Sequence, residues 1–323
     1  MINQRIFALG AIVSVGLLSG CGASLDDNSS STTPASAAPP ASASTATLPA
    51  GTPASFSDAT TKWSDVSQAN TTVTADGFSS EATLVYKTST APAPVIDTIA
   101  QVKIAYDSSG NISGLSVIND NVNLTWNDGF KENIRDSSLT VTDGNEAQGM
   151  IYDPENSSEW NYQTMATWLL TDEAKGTGRI GAMSVGNQTA VASIPTTSTA
   201  TFTGVAEGMY ITDSLDFYGV SSVVELEANF GDRSVEFTTT DSKIHDIDTR
   251  TTSEKNDLNL TGTFTYSEDV NQLTTTSLST TSGWTGGEAT AKFYGPNAEE
   301  IGGVFSIRGP GKEAYEGAFG AKQ

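Results

Sequence analysis

The chain has 323 residues, a formal net charge of −22 and only 37% apolar residues. Such acidity repels nucleic acid and anionic lipid headgroups, so neither is an expected partner. One histidine and one cysteine cannot supply the three or four ligands of an ordinary zinc site.

Residues 1–20 open with a short polar stretch containing Arg5, continue as an apolar run from Ile6 to Leu18, and end in small residues. That layout predicts a secretory signal. Cys21 follows Leu18-Ser19-Gly20 directly. The placement resembles the lipobox of bacterial lipoproteins, which implies cleavage before Cys21, acylation of its thiol and attachment to a membrane. Two or three acyl chains make a stable anchor, at about 0.8 kcal/mol per buried methylene. An acylated Cys21 leaves no thiol for a disulfide, a nucleophile or a metal. The alternative is an ordinary cleaved signal with an incidental cysteine. Gly22, where an Asp would mark inner-membrane retention, points by the same resemblance to the outer membrane. No later stretch approaches the roughly 18–20 apolar residues of a membrane helix.

Residues 21–55 are mostly Ser, Thr, Ala and Pro and predict a disordered tether. Its typical reach is on the order of 30 Å. Residues 56–195 predict a β-rich lobe. Strand-like runs are Glu81–Lys87, Ala100–Asp107, Ile112–Ile118, Val122–Trp126, Leu139–Thr142 and Asn161–Leu170. Turn signals stand at Asp76-Gly77, Ser109-Gly110-Asn111, Asp128-Gly129 and Asp143-Gly144. Trp160–Leu170 has helical length, but its aromatic and Thr content suits a strand. No long amphipathic helix is expected.

Residues 196–323 alternate more cleanly. Val224, Leu226, Ala228 and Phe230 share one face, and Glu225, Glu227 and Asn229 the other. Leu258, Leu260, Gly262, Phe264 and Tyr266 alternate with Asn259, Thr261, Thr263 and Thr265. Ala289, Ala291 and Phe293 repeat the pattern, as do Tyr315, Gly317 and Phe319. A period of two predicts antiparallel strands with one dry and one wet face. Roughly eight such segments close into a barrel whose interior side chains just fill. The fold class expected is therefore all-β: a β-rich handle lobe, then an eight-stranded antiparallel barrel. The small inward residues Gly262, Ala289, Ala291 and Gly317 suit a narrow interior.

The C-terminus reads Ala291-Lys-Phe-Tyr-Gly-Pro-Asn-Ala-Glu-Glu-Ile-Gly-Gly-Val-Phe305, then Tyr315-Glu-Gly-Ala-Phe-Gly-Ala-Lys-Gln323. Together with Pro195–Ala206, these residues resemble the C-terminal barrel of transferrin-binding protein B, shared by factor H-binding protein and haemophilin-like surface lipoproteins. The motif also has a physical reading. Tyr294-Gly295-Pro296-Asn297 is turn chemistry. Ala298-Glu299-Glu300 would continue as a short helical turn, Gly302-Gly303 permits a bulge or close backbone approach, and Phe305 and Phe319 plug the interior. The motif is therefore read as architecture rather than as a binding site.

Candidate chemistry is sparse. His245 has Asp246 and Asp248 beside it, which suggests a Ser-His-Asp triad, but Ile244–Asp248 reads as a strand end with a solvated histidine. A one-histidine haem site is the weaker alternative. Asp107-Ser-Ser-Gly-Asn lacks the glutamate and length of an EF-hand loop. Asp241, Asp246 and Asp248 are a poor cation set. Adjacent Glu299 and Glu300 do not match a glycosidase pair held across a cleft. Trp63, Trp126, Trp160, Trp168 and Trp284 are candidates for interface anchors or, more simply, for core residues. No catalytic residue, metal or cofactor is expected, and no ligand-binding residue is assigned.

The resemblance implies an outer-membrane lipoprotein, lipid-anchored through Cys21 and exposed at the cell surface. It implies binding without catalysis. The expected partner is a protein or a haem- or iron-carrying ligand, passed on to an outer-membrane receptor channel. A passive envelope lipoprotein and an extracytoplasmic hydrolase using His245 are the rival readings.

Overall fold

The computed structural model describes residues 47–85, 90–119, 122–127, 130–132, 138–142, 147–152, 160–172, 177–246 and 249–323. Cys21, the turn signals Asp128-Gly129 and Asp143-Gly144, and Asp248 lie outside them. Among the described residues the longest helix is Trp63–Val66, and no helix is long and apolar enough to cross a membrane.

Among the described residues ten strands make the first sheet: β1 (Thr52–Ala54), β2 (Thr71–Val85), β3 (Thr90–Tyr106), β4 (Ile112–Asn119), β5 (Asn123–Trp126), β6 (Lys131–Glu132), β7 (Ser138–Thr142), β8 (Ala147–Tyr152), β9 (Gln163–Asp172) and β10 (Thr177–Gly186). Their order is β5-β4-β3-β2-β10-β9-β8-β7-β6, an open, curled sheet with β1 laid beside β2. The hairpin joining β3 to β4 turns where Ser109-Gly110-Asn111 predicts. Asp107 accepts the backbone N–H groups of Ser109 and Asn111 at 2.7 and 3.0 Å.

The Asp76-Gly77 signal does not make a turn. Both residues lie inside β2, which starts ten residues before the predicted Glu81. Gly77 serves close approach: a Cβ there would stand 1.9 Å from the Ser184 carbonyl oxygen of β10. The register with β3 also shifts between Gly77 and Ser79, as a bulge does.

The second sheet contains β11 (Thr199–Ile211), β12 (Phe217–Asn229), β13 (Ser234–Asp246), β14 (Thr252–Glu254), β15 (Leu260–Thr265), β16 (Leu273–Thr280), β17 (Thr285–Tyr294), β18 (Glu300–Arg308) and β19 (Ala314–Lys322). The order runs β12-β11-β19-β18-β17-β16-β15-β13, and β12 pairs with β13 to close the ring. The result is a closed eight-stranded antiparallel barrel, with β14 paired to the far end of β13 beyond the stretch that β15 covers. Closure removes the unpaired edges that invite aggregation.

Inside the ring the alternation holds as read. Val224, Leu226, Ala228 and Phe230 are buried, while Glu225 and Glu227 are exposed. Aromatic rings fill the interior. Phe319 lies 4.8 Å from Phe237 and 5.9 Å from Phe264, and Phe305 meets Tyr315 at 4.8 Å. Ala289 and Ala291 belong to this core, and Gly262 and Gly317 lie under Leu278 and Phe305.

The expectation of one wet face fails on the last two strands. Every residue from Glu300 to Ile307 and from Ala314 to Ala321 is buried. The reason is the first sheet, which packs on the outside of β18 and β19. Phe78, Tyr152, Trp160, Met165 and Ala182 form one apolar cluster with Val304 and Ala318. Ala82 and Ile180 form another with Ile211, Leu215 and Ala314. Strands β9 and β10 split their faces between two cores. Trp168, Met183 and Val185 look into the sheet's own core, and Met165, Ile180 and Ala182 look to the barrel.

The ring and its interior are complete without the first sheet. A fragment of residues 197–323 is therefore expected to melt cooperatively as a β-protein. It should do so at a lower temperature than the whole chain, because β18 and β19 lose their cover. Circular-dichroism melts of the two would check this, and a disordered fragment would contradict a self-sufficient ring.

Candidate functional site

The closing motif is the joint between barrel and sheet. Gly295 and Ala298 take positive φ of 85° and 62°, so the turn spans Gly295–Ala298 and the chain enters β18 at Glu300. This replaces the expected helical turn at Ala298-Glu299-Glu300: a left-handed Ala298 ends the turn and cannot continue a helix. The two glutamates then diverge. Glu299 closes its own turn, accepting the Asn297 backbone N–H at 2.8 Å and the Asn297 side-chain amide at 3.0 Å. Glu300, only 1% exposed, accepts the backbone N–H groups of Asn161, Tyr162 and Gln163 at the start of β9.

Gln163 answers in the opposite direction. Its side-chain amide donates to the backbone carbonyls of Ile301 at 2.9 Å and Ala321 at 3.2 Å. Gly302 makes room for it, because a Cβ there would lie 1.8 Å from Gln163 Oε1. The Tyr294 hydroxyl lies 3.3 Å from Ser184 Oγ of β10. Each half of the motif thus supplies a group that the first sheet needs.

Two further barrel glutamates face the same seam. Glu207 accepts the Tyr152 hydroxyl at 3.2 Å. Glu316, 2% exposed, meets Ser306 Oγ at 3.2 Å through Oε1, while its Oε2 has no hydrogen-bond partner. Glu81 lies on the far face of the first sheet, in register with Gly181 and held by Asn119 at 2.6 Å and by Arg179 at 3.4 Å. Burial pushes the Glu300 carboxyl up to about 7, against its three N–H donors and the charge of Lys322. Burial pushes Glu316 well above the usual carboxylate range, and Glu81 adds to this against Ser306 and Arg308.

His245 lies near the end of β13 on the barrel's outer surface. Its Nε2 is 2.7 Å from Ser221 Oγ, and its Nδ1 is 2.9 Å from Thr252 Oγ1. A triad would place a carboxylate at Nδ1, and here a hydroxyl holds that place. Asp246 instead accepts the backbone N–H of Thr249 at 2.9 Å. Among the described residues no group of three His, Cys, Asp or Glu side chains is placed to hold a metal.

The tryptophans separate cleanly. Trp63, Trp126, Trp160 and Trp168 are buried in or beside the first sheet, and Trp284 stays partly exposed at one end of the barrel. A groove of about 510 Å³ runs past Gln188, Val191, Val270, Asn271 and Lys292. The Lys292 ammonium is engaged there, donating to Gln188 Oε1 at 2.7 Å and lying 5.0 Å from the Phe78 ring centroid. Sequence reasoning missed the seam residues Glu300, Gln163 and Glu316. The available signal was the run Ile301-Gly-Gly-Val-Phe305, which has no polar alternation and so predicts burial on both faces.

A carboxyl whose folded pKa is raised binds more protons folded than unfolded across the intervening window. Stability then falls as pH climbs from about 4.5 through about 7, and Glu316 extends the loss upward. Glu316→Gln is expected to raise the melting temperature at pH 8 and to leave it nearly unchanged near pH 4.5. Thermal melts across pH check the sign, and an equal loss at both pH values would contradict it. Glu300→Ala strands three N–H donors in the seam and should cost roughly 1–3 kcal/mol for each donor that stays dry, read in urea unfolding. Faster amide exchange at Asn161–Gln163 should accompany that loss.

Residues 194–323 match the family described as C-lobe and N-lobe beta barrels of Tf-binding protein B. A search of the curated proteins finds no match. Among solved structures, transferrin-binding protein B of Haemophilus parasuis Hp5 is 14% identical with a TM-score of 0.40, covering 69% of this chain and 51% of that one. Isotype 1 transferrin-binding protein B of serogroup B Neisseria meningitidis is 18% identical with a TM-score of 0.42, covering 76% and 43%. A protein described as a surface lipoprotein is 13% identical with a TM-score of 0.32, covering 76% and 98%. This chain spans about half the length of the two transferrin-binding proteins. The family match spans the whole ring and its closing motif, and the first sheet lies outside it.

Proposed function

We propose that this chain is a lipid-anchored binding protein of the outer-membrane surface, without catalytic activity. The observation that carries the reading is the family match of the barrel, which includes the motif that seats the first sheet. The proteins after which that family is described bind transferrin. For this chain the corresponding partner is a protein or a haem- or iron-carrying ligand, delivered to a receptor channel in the same membrane. The layout of residues 1–20 and the position of Cys21 after Leu18-Ser19-Gly20 support acylation at that residue. The stretch 21–55 would then act as the spacer, ahead of a handle lobe over 56–195 and the barrel over 196–323.

The barrel interior argues against a small ligand held inside it, because aromatic rings occupy that space. Cargo would reach this protein as part of a partner's surface. The hydrolase reading gains little from His245, whose Nδ1 faces a threonine hydroxyl.

Cys21→Ala is expected to move the protein from the membrane to the soluble fraction in cell fractionation. Retention of the mutant in the membrane would reject the anchor. Pull-down on intact cells against haem, haemoglobin, transferrin and serum should return one saturable partner, whereas a passive envelope protein would return none. Expression rising under iron starvation would connect that partner to iron supply.

A further inference from the structure

One end of the barrel carries an aromatic layer with a cation on it. Tyr210 of β11 and Tyr218 of β12 face each other across the strand pair and stack, with centroids 6.3 Å apart. Trp284, in the turn between β16 and β17, lies 6.2 Å from Tyr210. Tyr210 is buried and forms the floor, while Tyr218 and Trp284 are partly exposed. The Lys255 ammonium stands 5.8 Å from the centroid of Tyr210. That is the distance at which the negative face of a ring attracts a cation.

The surroundings are acidic. The turns 212–216 and 309–313 and the short helix Asn256–Leu258 bring Asp213, Asp216, Asp257 and Glu313 to this end, against Lys255 and Lys312. Glu313 accepts the Tyr210 hydroxyl and holds the floor ring in place. Asp257 holds Lys255 at 2.6 Å, two residues away along the chain. A surface ion pair of this kind contributes little and is readily exchanged. Burial raises the Tyr218 phenol, and Asp216 and Asp246 raise it further, so a negative field acts on these rings.

We propose that this end of the barrel is a docking site for an arginine-bearing segment of a protein partner, and that the guanidinium takes the place over Tyr210 that Lys255 now fills. Arginine fits better than lysine because its planar, weakly hydrated head stacks on a ring while its N–H groups reach carboxylates. The net charge of −22 steers such a segment toward the chain, and the rings give it a specific seat. This inference rests on the reading of the chain as a binding protein and gives the partner's contact surface a chemistry.

The test titrates the purified protein with a short blocked peptide carrying two arginines, and with the same peptide carrying neutral citrulline in their place. Tryptophan fluorescence and titration calorimetry read the binding. The expected result is saturable binding of the arginine peptide alone, weakened at least tenfold by Trp284→Ala and by raised salt. Lys255→Gln should tighten it several-fold by vacating the seat without disturbing ring packing. Lys312→Gln makes the same charge change at the same end and should leave binding within about twofold. Equal binding of the citrulline peptide, equal effects of the two lysine changes, or no saturation would each overturn the docking site. A partner captured from cells and retained unchanged by Trp284→Ala and Lys255→Gln would overturn it as well, while leaving the binding-protein reading in place.

Discussion

Glu300 is the contact on which the arrangement of the two sheets depends. Its carboxylate takes up three backbone N–H groups at the point where the chain enters β9. Such donors left unpaired in a dry seam would each cost on the order of 1–3 kcal/mol. The reciprocal bonds from Gln163 to the carbonyls of Ile301 and Ala321 fix the same register from the other side. Apolar clusters on either side of this latch supply area, but area alone permits sliding. Directional bonds to named backbone atoms do not.

The latch also explains a composition that would otherwise be unfavourable. Three glutamates of the barrel's outer face are buried beneath a sheet, in a chain already carrying a large negative charge. Each is compensated differently. Glu300 has backbone donors, Glu207 has the Tyr152 hydroxyl, and Glu316 has a serine on one oxygen and no hydrogen-bond partner on the other. Buried charge of this kind is poor evidence for stability, and its best-attested role is to specify one arrangement over others. Here the alternatives are the two sheets slid past one another, which would part these buried carboxyls from the groups that compensate them.

What could be read from the sequence follows from which faces meet water. On β12, Glu225 and Glu227 are wet, so the alternation is visible and the barrel interior can be assigned residue by residue. On β18 and β19 both faces are dry. From Glu300 to Ile307 and from Ala314 to Ala321 the sequence shows only small, apolar and aromatic residues, with Glu300 and Glu316 looking like surface charges. Nothing within residues 300–308 indicates which distant strand covers them, because the donors come from residues 161–163. Gly77 misled for a related reason. The glycine that a turn needs for its backbone is the same residue a bulge needs so that Ser184 can approach. The tryptophans divide on the same principle: composition gives their number, and only the tertiary structure shows that Trp284 alone of the described five keeps access to solvent.

The division of surfaces then narrows where recognition can occur. The inside of the ring is filled by Phe202, Phe237, Phe264, Phe293, Phe305 and Phe319, as eight strands require. The outer face of β18 and β19 is taken up by the first sheet. Strands β12 and β13 offer mostly isolated Thr, Glu and Asp residues to solvent, a surface suited to hydration more than to contact. The turns at the barrel ends remain, and apart from side chains such as Leu215 that reach the seam they are not held by it. A barrel built in this way separates its duties: the interior and the seam hold the structure rigid, and the end loops carry the chemistry that meets a partner. Aromatic side chains retained at such an end, after the interior has been filled, are therefore where binding energy should concentrate.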